Sequence, residues 1–571
     1  MHNAEIARKF HELADLLEIQ DANPFRVRAY RNVASIIEGS SRAIEDRVGK
    51  GEDLSQIKGI GEDLAGQIES LVKNGTLSQL EEARKEVPEE LIQLMRLEQL
   101  GPKRTKQLHD DLGITSLDQL RTAAEEGKIS ALSGFGKKSE EKILDELGKL
   151  KPEKEQRMRL GEAEQVAGPL VDYLDELDEV KKIVVAGSYR RRKETVGDLD
   201  ILVACEDSAP VMKRFTTHPE VADVVSKGKT RSTVYLKSGL QVDLRVVAEK
   251  SYGAALHYFT GSKAHNVAIR QIGVDRGLKI NEYGVHKGDK LIAGKTEEEV
   301  FDQVGLPWIP PELRENRGEI EAAREGRLPK LVEEKDIRGD LHMHTDATDG
   351  RNSLREMAEA AKKLGHDYIA ITDHSRRLTM ANGLTPKRLR EQMEAIDRLN
   401  EELEGIRVLK GIEVDILEDG GLDLPDDVLK ELDVTVCSIH SKLNLSRKKQ
   451  TERVLRAMDN RYFNILGHPT GRLINKRDPY PIDLEAIVEG ARERGCCLEI
   501  NSQPKRLDLP GRYAQMVKEA GVLGVISTDS HATDHLGFMH LGVSQARRGW
   551  MEKDDLLNTR TLEHLKKALA R

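Results

Sequence analysis

The segment GSYRRRKETVGDLD (187–200) sets a glycine–serine turn ahead of a run of cations, then places Asp198 and Asp200 two residues apart at the start of an apolar run. Alternate side chains of an extended strand share a face, so both carboxylates leave one side while Leu199 and Ile201 leave the other. Like charges so close repel unless a cation sits between them. LQVDLRVV (240–247) projects Asp243 and Arg245 from the face opposite Val242, Leu244 and Val246. Delivered by a neighbouring strand, that third acid would complete a site for two Mg²⁺ or Mn²⁺ ions, which activates a hydroxyl and stabilises a leaving pyrophosphate with no protein nucleophile.

A second set lies in the last third of the chain. In RGDLHMHTDATDG (338–350), His342 and His344 alternate with Leu341 and Met343, and Asp349 follows in the loop. His374 follows YIAITD, Glu413 lies inside LKGIEVDI, His440 follows VTVCSI, His468 follows FNILG, and Asp529 and His531 follow GVIS. One histidine beside an apolar run is ordinarily a packed or surface residue, but nine ligand-type side chains at successive strand ends point to a metal cluster. Mixed imidazole and carboxylate donors suit Mn²⁺, Zn²⁺ or Fe²⁺, up to three ions, and such a cluster supports phosphoester hydrolysis.

The elements that must position these groups fall into distinct regions. Residues 1–150 carry helical apolar spacing interrupted by three similar glycine turns, IKGIGEDLAGQI (57–68), LEQLGPKRTKQL (97–108) and LSGFGKKSEEKIL (132–144). Each reads as a helix-hairpin-helix motif, with Gly59, Gly61, Gly101, Gly134 and Gly136 freeing backbone N–H groups at a helix start to hold DNA phosphates. The middle copy is weakest, because Gln99 stands where the first glycine is expected. We divide this region at 1–85 and 86–150. Beyond 151 the period becomes that of strands: KKIVVAG, LDILVAC, STVYLKSG and LQVDLRVV form an α+β domain, the last two a hairpin around Ser238–Gly239. The charged stretch 316–335 reads as a linker or linker helix. From 336 to 571, runs at 338–344, 368–373, 407–415, 433–440, 462–467, 496–501 and 523–529 alternate with helical segments, the pattern of a (β/α) barrel.

On these motifs, residues 1–315 resemble the family X DNA polymerases, of which DNA polymerase beta is one. The resemblance implies a nucleotidyltransferase palm at 151–252 and a nucleotide-pocket subdomain at 253–315. It implies Asp198, Asp200 and Asp243 as catalytic metal ligands, Gly187, Ser188 and Arg191 on the triphosphate, and Arg157 as a further candidate there. In YFTGSKAHN (258–266), Tyr258 and Phe259 would contact the sugar and exclude a 2′-hydroxyl, while Asn266 would reach the base edge and Arg270 the template minor groove. NEYG (281–284) also follows the pattern. Lys263 stands where relatives carry an acid or a small residue, and it would contact the nucleotide. Gln67 stands where relatives carry a Schiff-base lysine, and glutamine cannot form the imine. Residues 336–571 resemble the polymerase-and-histidinol-phosphatase (PHP) domain, with all nine ligand positions kept. Together these imply a polymerase that fills short gaps in DNA repair, with gapped or primer-template DNA and dNTPs as partners. Its barrel would act on DNA ends as a 3′–5′ exonuclease, 3′-phosphodiesterase or abasic endonuclease.

Composition bounds these readings. At 571 residues the chain needs several cores. Its net charge of −9 argues against a uniformly basic nucleic-acid coat. The run Arg190–Arg191–Arg192–Lys193 would face phosphates or serve only as a solvated face. Cys205, Cys437, Cys496 and Cys497 lack metal-site spacing and are expected to be reduced core residues. With no long apolar run and a polar start, MHNAEIARKF, we expect a cytoplasmic monomer rather than a membrane or secreted protein. Two alternatives stay open: a phosphoesterase whose N-terminal part only binds DNA, and a non-catalytic DNA scaffold built on the hairpins.

Overall fold

The computed structural model describes residues 1, 3–38, 40, 42–87, 91, 94, 95, 97, 100–149 and 157–570. Gln99 and the expected 150/151 boundary lie outside them. The chain forms two compact units, Met1–Gln156 and Arg157–Arg571.

The first unit is helical. Ile6, Phe10, Leu13 and Leu17 recur every three or four residues along Asn3–Ile19, as do Val27, Tyr30, Val33 and Ile37 along Pro24–Glu38, so each helix turns one apolar stripe into a shared core. Gly61 caps the helix Glu62–Asn74, Gly101 caps Pro102–Leu112, and Lys137–Lys149 starts directly after Gly136. Gly59 and Gly134 have left-handed φ of 94° and 82°. A Cβ at Gly59 would also lie 2.7 Å from Ile36 Cδ1, so that turn requires glycine.

The second unit begins with a two-stranded pair, β1 (Met158–Arg159) with β3 (Thr195–Val196), beside a five-stranded sheet. The sheet runs β2 (Lys182–Val185), β4 (Asp198–Ala204), β7 (Gln241–Val247), β6 (Arg231–Leu236), β5 (Val221–Lys227). β6 and β7 form the expected hairpin, whereas β4 and β7 pair in parallel with Asp200 opposite Asp243. Leu199, Ile201 and Val203 enter the core from the face opposite the acids, each contributing about 1.5–3 kcal/mol of burial. A small sheet of β8 (Lys279–Asn281), β9 (Gly284–Lys287) and β10 (Lys290–Ala293) packs with helices around Ile269, Val300 and Phe301. The stretch expected to be a linker is partly built into this core: Glu319–Arg324 is a helix that buries Ile320 and Ala323 there.

The expected seven-stranded barrel follows, all parallel and in sequential order: β11 (Gly339–Asp340), β12 (Tyr368–Ile371), β13 (Arg407–Asp415), β14 (Val434–Ser438), β15 (Ile465–Leu466), β16 (Cys497–Asn501) and β17 (Gly524–Ser527). Met343 and Ser530 bridge just beyond the first and last strands, with His344 N donating to Ser530 O at 2.7 Å, so the sheet curls nearly shut. All four cysteines are buried and form no disulfide. Among the described residues, no helix is long and apolar enough to cross a membrane.

Candidate functional site

The parallel register of β4 and β7 brings the three expected acids together: one oxygen each of Asp198, Asp200 and Asp243 lie within 4.8 Å of one another. Asp243 is fixed by Thr233 Oγ1 donating at 2.5 Å and Gln241 Nε2 donating at 2.8 Å. Asp200 lies against Gly187, where a Cβ would fall 2.5 Å from its Oδ2 and φ is 62°. Burial and repulsion by Asp198 and Asp243 push Asp200 up to about 7, and burial and Asp243 raise Asp198. Three carboxylates held against their own repulsion fit a divalent-cation site.

A cavity of 550 Å³ opens beside them, lined by all eight residues expected to meet the nucleotide: Gly187, Ser188, Arg191, Tyr258, Phe259, Lys263, Asn266 and Arg270. Arg157 and Lys193 line it too. Phe259 stacks edge-on against Tyr258 and lies 4.2 Å below the Arg245 guanidinium carbon. Asn266 Nδ2 donates to Tyr258 O at 2.6 Å, and its buried Oδ1 has no hydrogen-bond partner among the described residues. The cation run divides: Arg191 and Lys193 reach the cavity wall, whereas Arg190 pairs with Glu297 at 2.7 Å and Arg192 with Glu164 at 2.7 Å. Those carboxylates lie far along the chain or on another helix, so the run itself gives no sign of the split.

In the barrel, Glu413 is the centre of the nine. Its Oε1 lies 3.1 Å from His468 Nε2, 3.2 Å from His440 Nε2 and 3.6 Å from His342 Nε2, and its Oε2 lies 2.7 Å from His374 Nδ1 and 3.7 Å from His344 Nε2. Asp349 stands 3.4 Å from His374 and 3.5 Å from His531, and Asp529 stands 3.3 Å from His344. Three overlapping groups result: His344, Asp349, His374 and His531; His342, His344 and Asp529; His374, Glu413 and His440. His468 joins through Glu413. Against burial, which favours neutral rings, Glu413 raises His374 to about 10 and His440 to about 9, while burial and the nearby His531 and His374 lower His344 to about 3. Among the described residues, His342 Nε2, both ring nitrogens of His344, His374 Nδ1 and Glu413 Oε2 are buried and, though within ion-pair range of one another, have no partner in hydrogen-bond geometry. Such orphaned donor atoms, converging without hydrogen-bond geometry, fit a metal cluster.

The sequence reading missed the groups that aim these rings. His342 Nδ1 lies 2.6 Å from Glu499 Oε1 and His440 Nδ1 lies 2.8 Å from Asp415 Oδ1, each turning the other ring nitrogen inward. Asp415 carried a usable signal, since it shares a strand face with Glu413. Arg506 was missed as well; its buried Nε has no hydrogen-bond partner among the described residues and lies 3.8 Å from Asp529.

Five family models match the chain. Residues 1–77 match a helix-hairpin-helix domain, 89–149 a SAM-like helix-hairpin-helix tandem, 157–266 the DNA polymerase beta palm, 255–315 the DNA polymerase beta thumb and 340–503 the PHP domain. The chain is 41% identical over 575 residues to the DNA polymerase/3′-5′ exonuclease PolX of Bacillus subtilis (strain 168), covering all of both chains. It is 30% identical over 231 residues to a probable phosphatase of Thermoanaerobacter sp. (strain X514), covering 38% of this chain and 89% of that one. A probable phosphatase of Acetivibrio thermocellus is 30% identical over 207 residues, covering 35% of this chain and 81% of its own.

Proposed function

The chain belongs to the PolX family, family X DNA polymerases joined to a PHP 3′–5′ exonuclease, and from that premise we propose how its own residues divide the work. Asp198, Asp200 and Asp243 hold two Mg²⁺ or Mn²⁺ ions, which supply an activated primer 3′-hydroxyl and charge neutralisation on the triphosphate. Gly187, Ser188 and Arg191 hold the triphosphate, with Lys193 and Arg157 on the same wall. Tyr258 and Phe259 close over the sugar, Asn266 offers its free Oδ1 to the base edge, Lys263 contacts the nucleotide and Arg270 the template. The observation that carries this reading is the convergence of three carboxylates, two of them lining a cavity whose walls also carry Arg157, Arg191, Lys193, Lys263 and Arg270.

In the barrel, the nine histidines and carboxylates hold up to three Mn²⁺, Zn²⁺ or Fe²⁺ ions, which supply an activated water and a polarised phosphate. Glu499 and Asp415 keep the rings aimed, and Arg506 stands ready to meet the scissile phosphate. We read the paired activities as short-gap filling in DNA repair, with trimming of blocked or mispaired 3′ ends. The helix starts at Gly61, Gly101 and Gly136 take backbone phosphates. Gln67 Nε2 donates to Asp63 Oδ2 at 2.9 Å, and with no lysine at that position the helical unit grips DNA without imine chemistry there. Four unbridged cysteines suit a reducing compartment, and we propose a cytoplasmic monomer.

Gapped-primer extension with Mg²⁺ or Mn²⁺ and dNTPs tests the polymerase reading. No extension by purified full-length protein would favour a phosphoesterase that only binds DNA.

A further inference from the structure

The loop Gly187–Glu194, of which Gly187, Ser188, Arg191 and Lys193 line the cavity, is held both by its own backbone and from outside. Its amides turn inward, Arg192 N to Tyr189 O at 2.9 Å and Lys193 N to Ser188 O at 3.1 Å, but Arg192 has a left-handed φ of 56°, a conformation that a non-glycine residue keeps only when its surroundings enforce it. Beside contacts within the palm, such as Arg192 with Glu164, the barrel domain supplies contacts directly to this main chain. Arg548 Nη1 donates to Arg191 O at 2.6 Å, and Gln545 Nε2 donates to Arg192 O at 3.1 Å. Arg548 also lies 3.2 Å from Glu315 Oε1, the oxygen that pairs with Arg191 Nε at 3.2 Å, so one guanidinium holds both the main chain of Arg191 and the carboxylate that aims its side chain. From the same helix, His540 Nε2 lies 2.9 Å from Glu164, the partner of Arg192.

These three residues lie on one face of the helix Met539–Arg548, and the opposite face buries Met539, Val543 and Ala546 in the barrel core. The helix approaches the strands closely: a Cβ at Gly542 would fall 2.1 Å from Ser502 Oγ and 2.6 Å from Ile526 Cγ2, on the flanks of β16 and β17. The helix that carries the brace is therefore closely packed on the barrel wall.

We propose that Arg548 and Gln545 are positioning residues for nucleotidyl transfer, fixing the main chain at Arg191 and Arg192 so that Arg191 and Lys193 present their cations to the triphosphate in one register. The barrel domain thus completes the polymerase's nucleotide site as well as carrying its own. The inference rests on the reading of Arg191 as a triphosphate contact given above.

The test uses full-length protein, gapped-primer extension over a dNTP titration, 3′-end hydrolysis and the thermal midpoint, all measured on each variant. Arg548→Ala is expected to raise the KM for dNTP about tenfold, the scale of losing a buried charge-assisted hydrogen bond. The kcat should change less, and hydrolysis should stay within about twofold of the parent. Arg548→Lys, which retains one donor for Arg191 O, should recover most of the loss, and Gln545→Ala should raise KM severalfold. An unchanged KM in both alanine variants would overturn the inference, as would extension and hydrolysis falling together without rescue by lysine. Arg191→Ala separates the two levels. If its KM is unchanged, the reading of the pocket fails and this inference with it; if its KM rises while those of Arg548→Ala and Gln545→Ala do not, only the inference fails.

Discussion

Asp200 touches Gly187 on one side and faces Asp198 and Asp243 on the other, so its charge is disfavoured unless a cation joins it. Its carboxyl is pushed up to about 7, and at pH 8 the metal-free protein must hold it ionised among repelling neighbours. Asp200→Asn should therefore raise the thermal midpoint in EDTA at pH 8, with an upper scale of about 4 kcal/mol, and Mg²⁺ should stabilise the parent but not the variant. A lower midpoint in EDTA would show that the carboxylate is satisfied without metal. Gly187→Ala should be equally informative: its methyl would displace Asp200, and extension should fall by about 10²-fold or more, as positional errors of an ångström do, while hydrolysis persists. The acids were legible in the sequence because strand alternation and a two-residue spacing are local. The fates of Arg190 and Arg192 were not, because Glu297 lies 107 residues from Arg190 and no local pattern announces such a partner.

Glu297 shows what elements do for the site. It is buried, bonded to Arg190 at 2.7 and 2.9 Å and to Arg314 at 2.6 and 3.2 Å, and so ties the short helix Gly187–Arg190 to the subdomain that carries Tyr258. Burial alone would raise its carboxyl, but Arg190 and Arg314 hold it well below the usual carboxylate range. A depressed carboxylate contributes stability above its unfolded value, and that contribution is lost as pH falls below it. Glu297→Gln should therefore cost about 3–5 kcal/mol at pH 7, and the gap to the parent should narrow as pH drops below about 4. A gap independent of pH would mean that the ion pairs are not its cause. Among elements, the barrel strands were legible as continuous apolar runs. Strand β5 escaped notice because it is an edge strand with Asp223, Val224 and Val225 all exposed, which leaves no alternation to read. The parallel pairing of β4 with β7 was equally hidden, since register between distant strands is set by packing.

Across the whole molecule two chemistries share one chain. Asp198→Ala with Asp200→Ala should abolish extension and leave 3′-end hydrolysis, whereas His344→Ala should abolish hydrolysis and leave extension. Loss of both activities from either change would refute separate sites. The division into helical hairpins, palm and barrel was readable from changes in apolar period, which are properties of each segment alone. The contacts between palm and barrel were not, because they join residues hundreds of positions apart, more than 350 for Gln545 with Arg192 and Arg548 with Arg191, through side chains unremarkable in their own context.

Those contacts also impose an asymmetry of inheritance. In the two bonds to the cavity loop, the palm-side atoms are the carbonyl oxygens of Arg191 and Arg192, which every amino acid carries; the barrel-side groups are a guanidinium and a carboxamide, which few carry. Drift at 191 and 192 would leave those two bonds intact, whereas drift at 545 and 548 would erase them, so a graft of a foreign barrel lacking those two donors should weaken nucleotide binding in a palm whose own residues are all in place.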